Sequence, residues 1–74
     1  MMNQGMLWFD DRKDIPDEQK IAAALKFYEQ KYGRRPNCCY IHSSTGAEID
    51  QTELKLRIEV SQYILPNHYL LEEN

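Results

Sequence analysis

Apolar residues run along this chain in three different rhythms, and each rhythm predicts a different element. Met6-Leu7-Trp8-Phe9 is an unbroken apolar run stopped by the charged residues that follow from Asp10. So short a run of strand-prone residues reads as a first β-strand over 6–9, with side chains to bury on both faces. Ile21, Leu25, Tyr28 and Tyr32 recur at spacings of four, three and four, while Lys26, Glu29 and Gln30 fall on the opposite side. That stripe is one face of an α-helix. Leu54, Leu56, Ile58 and Val60 then alternate with Lys55, Arg57 and Glu59. Period two predicts a strand over 53–60 with one buried and one wet face.

Punctuation residues bound the helix at 16–32. Pro16 suits a first helical turn, and Asp14, Asp17 and Glu18 bring acceptors and negative charge to that end. Gly33 supplies a left-handed cap and Pro36 forbids continuation. Ala22, Ala23 and Ala24 add helix propensity and a slim flank able to lie close to a sheet. Residues 37–43 form the next predicted strand, with Cys38, Tyr40 and His42 on one face and Cys39 and Ile41 on the other. Groups suited to burial on both faces favour an interior strand. Residues 43–51 read as a polar loop, Ser61-Gln62 and Pro66-Asn67 as bends, and 68–71 as a last, edge strand; residues 1–5 read as a loose polar leader.

The order is α+β: a small single-layer sheet of three or four mixed strands, β-α-β-β with a fourth at an edge, and one helix packed on one face. A right-handed crossover makes the first two strands parallel, with antiparallel strands after them. A helix about 10 Å wide covers only about two strands spaced about 4.8 Å apart. The second sheet face is therefore expected to need another cover.

Length and charge narrow the classes. A chain of 74 residues makes a single domain that buries only about 60 % of its unfolded surface. Its 42 % hydrophobic and 28 % charged residues argue against disorder. The net charge of −3 disfavours a dedicated nucleic-acid binder, although the charge is uneven. Residues 1–36 carry seven basic and six acidic side chains, a balance of +1, against two and six, a balance of −4, in 37–74. Cys38 and Cys39 are neighbours whose side chains point to opposite faces of a strand, so a bridge between them would be strained. Two unbridged thiols favour a reducing compartment. The apolar runs are too short for a signal peptide or a membrane span, and a cytoplasmic location is expected.

Candidate chemistry is sparse. Asp10 and Asp11 at the end of the first strand, with His42 and the hydroxyls of Ser43 and Ser44 at the end of the second, share the edge where open α/β sheets take ligands. Converging there, they would suit a divalent cation and metal-assisted phosphoryl transfer or nucleotide binding. Against that, two aspartates after a strand are ordinary turn chemistry. Cys38 and His42 are separated by about 13 Å of extended backbone, too far to close a zinc site with His68; the cysteines read as small core hydrophobes. Ser43-Ser44-Thr45-Gly46 has the composition of a phosphate loop, but a strand follows it and no lysine does. Neither a metal nor a cofactor is expected.

Lys31, Tyr32, Arg34 and Arg35 form a basic knot at the helix end, suited to phosphate contacts or to simple dipole compensation. Tyr40 reads as core. Trp8, Tyr63, His68 and Tyr69 are the aromatic candidates for an interface. With no convincing catalytic constellation, the reading that follows is a non-enzymatic interaction module. Its expected partner is a second copy of itself or a larger protein, with metal-assisted and nucleic-acid functions as the alternatives.

Overall fold

In the computed structural model, which describes residues 5–45 and 49–73, one helix lies on a four-stranded mixed sheet. The chain runs β1 (Gly5–Phe9), α1 (Asp17–Tyr32), β2 (Cys38–Ile41), α2 (Gln51–Leu54), β3 (Arg57–Val60) and β4 (His68–Glu72). The predicted leader falls mostly on residues 1–4, outside the described residues.

α1 forms where the stripe placed it. Pro16 stands at its amino cap and its carbonyl accepts from the Gln19 and Lys20 amides (3.0 and 3.1 Å). Gly33 closes the other end at φ 69°, its N–H donating to the Glu29 carbonyl. A side chain there would be strained at positive φ although space for it is open. The buried face is Ile21, Ala24, Leu25 and Tyr28, with Lys20 buried beside them.

The sheet order is β1-β4-β2-β3, and it corrects the expected topology in three places. First, β4 is no edge strand: it is inserted antiparallel between β1 and β2. β1 and β2 are thus parallel, as the crossover requires, but one strand apart. Secondly, β3 runs parallel to β2, because α2 and its flanks carry the chain back before β3 begins. Thirdly, the strand predicted over 53–60 is split. Asp50 caps α2 by accepting from the Glu53 amide (3.1 Å), and Lys55 turns the chain at φ 53°. Leu54 and Leu56 are buried as their alternation demanded, but from a helical turn and a bend, whereas Val60 at the end of β3 is 62 % exposed against expectation. The Asp50-x-x-Glu53 spacing is the cue for that turn. Likewise β2, at Cys38–Ile41, is shorter than the predicted 37–43.

Strand alternation sorts the side chains. Facing α1 are Met6 and Trp8, Tyr69 and Leu71, Cys39 and Ile41, and Ile58. Tyr28, Tyr69, Ile21 and Leu71 are the largest wholly buried side chains of this core. Tyr28 donates to Glu73 (2.8 Å) and Tyr69 to Asp17 (2.6 Å), so each phenol finds an acceptor at the core margin. No helix among the described residues is long and apolar enough to cross a membrane.

Candidate protein-interaction surface

The ligand-binding edge does not assemble as expected. With β4 between them, the ends of β1 and β2 are two strand spacings apart, about 10 Å. Asp10 is buried and already clasped: Arg12 donates from Nε to Oδ1 (3.0 Å), from a terminal guanidinium nitrogen to Oδ2 (2.7 Å), and from its backbone N–H to Oδ1 (3.1 Å). Asp11 is exposed. His42 is occupied locally, its Nδ1 accepting from the Ser44 N–H (2.9 Å) and lying 2.7 Å from the Ser44 hydroxyl. No three His, Cys, Asp or Glu side chains converge as a metal set among the described residues. Both aspartates follow β1 directly, Asp10 held by Arg12 and Asp11 open to solvent.

The Arg12 clasp, opposed only in part by desolvation, lowers the Asp10 pKa from 3.8 to about 2. A carboxyl held lower when folded than when unfolded stabilises the fold above about pH 4, and that support is lost as pH falls toward 2. Arg12→Ala is expected to return the midpoint of Asp10 toward 3.8, as read by a carboxyl-carbon NMR titration. A midpoint unmoved from about 2 would show that something else holds it.

The basic knot stays at the surface but has partners within the chain. Arg34 pairs with Glu73 (3.1 Å), Arg35 pairs with Glu29 (3.8 Å) and donates to the Leu54 carbonyl, and Lys31 sits over the Tyr32 ring (5.3 Å). These contacts tie the end of α1 to the end of β4 and to α2. Both cysteines are free and wholly buried, and burial pushes the Cys39 thiol up to about 12. A thiol so rarely ionised is a poor nucleophile or metal ligand.

Of the aromatic candidates, Tyr69 is removed from any interface by complete burial. Trp8 is half-buried on the α1 side against Phe27, ring centroids 4.8 Å apart, with its indole N–H unpartnered among the described residues. His68 lies on the opposite face, 4.8 Å from the Phe9 ring, with Nδ1 donating to the Pro66 carbonyl (2.8 Å). Tyr63 is 84 % exposed.

The face that α1 leaves open has two unlike halves. Over β2 and β3, Arg57 and Glu59 pair at 2.7 Å beside the buried Cys38. Over β1 and β4 the surface is mainly apolar, with Leu7 60 % and Phe9 56 % exposed next to Leu70, and with His68 and Glu72 at its two ends. Residues 61–67 arch toward this half but cover only part of it. Ile64 is buried, whereas Leu65 stays 66 % exposed. Between arch and strands a hollow of about 270 Å³ is lined by Leu7, Tyr63, Ile64, Leu65, His68 and Leu70. Sequence reasoning missed Leu7 and Leu65. Leu7 was legible only as one of two faces of an apolar strand, and which face is open depends on where α1 lands. The chain matches no family model, no curated protein and no solved structure.

Proposed function

We propose that this protein is a non-enzymatic interaction module that self-associates through the apolar half of its open sheet side. One observation carries the reading: Leu7, Phe9, Tyr63 and Leu65, all more than half exposed, flank the same β1–β4 region. At about 200 Å² for a large side chain, these amount to several hundred Å² of apolar surface, the size of patch that is often functional on a soluble protein. A two-fold pairing lets one patch meet its own copy. The two unbridged cysteines suit a reducing cytoplasmic setting.

Sedimentation across the micromolar range tests it. The chain is expected to run at twice 8.8 kDa, and Leu7→Asp with Leu65→Asp to run at 8.8 kDa while still folded. Both positions are exposed, so the substitutions disturb the surface and leave the core alone. A wild-type chain that stays monomeric throughout overturns the reading.

A further inference from the structure

We infer that two copies join at the free edge of β1, pairing it antiparallel with itself about a two-fold axis at Leu7. This rests on the self-association proposed above, and places the contact at the strand edge that borders the apolar half rather than on the face itself. Asp10 N–H donates to the Asn67 carbonyl, and the β1–β4 register places Trp8 opposite Tyr69 and Met6 opposite Leu71. In an antiparallel ladder, bonded pairs alternate, so the even-numbered residues of β1 bond to β4. The N–H and C=O groups of Gly5, Leu7 and Phe9 therefore point away from the sheet. The Tyr32 hydroxyl on the Gly5 carbonyl (3.3 Å) agrees with that direction.

Exposed strand edges are normally blunted by charge, proline or a bulge. The β3 edge is, through Arg57 and Glu59. Gly-Met-Leu-Trp-Phe in β1 has neither charge nor proline. Both of its flanks are apolar as well, with Trp8 and the 54 % exposed Phe27 on one side and Leu7 and Phe9 on the other.

A second copy is the occupant this edge fits. Full five-residue overlap puts Leu7 opposite Leu7, and both exchange backbone hydrogen bonds. Phe9 then lies opposite the Gly5 of the second copy, and Trp8 opposite its Met6. Every pair sets a bulky side chain against a small, flexible or identical one: ring over glycine, indole against thioether. No charge meets a like charge across the axis. The two apolar halves then join into one surface, with Phe27 and Tyr32 flanking the seam.

Residue-resolved amide exchange at low and high concentration, run beside sedimentation, separates the cases. Leu7 and Phe9 amides are expected to exchange about tenfold or more slowly in the dimer than in the monomer, while Met6 and Trp8, bonded to β4, change little. In a mixed isotope-labelled dimer, the Phe9 ring is expected to contact Gly5 of the other copy. A dimer whose Leu7 and Phe9 amides exchange freely overturns edge pairing and leaves self-association standing. A protected dimer without the Phe9–Gly5 contact overturns the register. A monomer at every concentration overturns both readings.

Discussion

A chain ended after Pro66 is expected to show no cooperative unfolding transition. The residues removed include all of β4, which makes five register pairs with β1 and four with β2. β1 has no other strand to pair with within the described chain. The helix simultaneously loses Tyr69 and Leu71, both wholly buried, and the Glu73 carboxylate that receives the Tyr28 hydroxyl and pairs with Arg34. Two large core side chains are each worth about 2–5 kcal/mol, and a domain this small holds only about 3–5 kcal/mol in total. A terminal edge strand would be dispensable by comparison. Circular dichroism through a thermal ramp decides the matter; a sigmoidal melt from the shortened chain would contradict the central placement of β4.

Tyr69→Ala is expected to be almost as damaging, and Tyr69→Phe mild. Tyr69 is 0 % exposed at the centre of the sheet under α1, and its hydroxyl donates to Asp17 at 2.6 Å. Truncation to alanine leaves a cavity that costs about 3–5 kcal/mol, comparable to the whole stability. Removing only the hydroxyl loses one hydrogen bond to a carboxylate, about 1–2 kcal/mol, because the half-buried Asp17 can regain water. Alkali should expose the same dependence. Burial first, then the Asp17 contact, raises the Tyr69 phenol above its ordinary 10.0, and burial with Glu73 does the same to Tyr28. A group whose folded pKa is raised supports the fold below its unfolded value and loses that support as pH rises through it. Stability is therefore expected to fall above about pH 10, and less steeply in Tyr69→Phe. Denaturant melts at several pH values read both effects. Equal slopes for the two proteins would remove Tyr69 from the explanation.

The apolar half of the open face was partly legible in the sequence. The need for a cover followed from one helix on more than two strands, and Met6-Leu7-Trp8-Phe9 advertised apolar groups for both faces. Trp8 was the candidate from this strand, but α1 lies on the Trp8 side, packed through Phe27, and it is Phe9 that is left 56 % exposed. The partner of Arg34 likewise depends on a distant part of the chain. Arg34 and Arg35 look like a free basic cluster in sequence, yet their acidic partners Glu73 and Glu29 come from the far end of the chain and from one turn back along α1.

The extent of α1, the apolar character of β1, the burial of Cys38, Cys39, Leu54 and Leu56, and the α+β class were all legible in local sequence pattern. Each rests on interactions within a few residues: a repeating stripe, a left-handed glycine cap, a proline stop, an alternation. Tertiary structure alone decided that β4 lies at the centre, that β3 is parallel to β2, and that Leu7 and Phe9, not Met6 and Trp8, face outward. His68-Tyr69-Leu70-Leu71 carries the same local signal at an edge or in the middle of a sheet. Its place depends on long-range pairing with two strands at once, and on α1 burying Tyr69 and Leu71 from above.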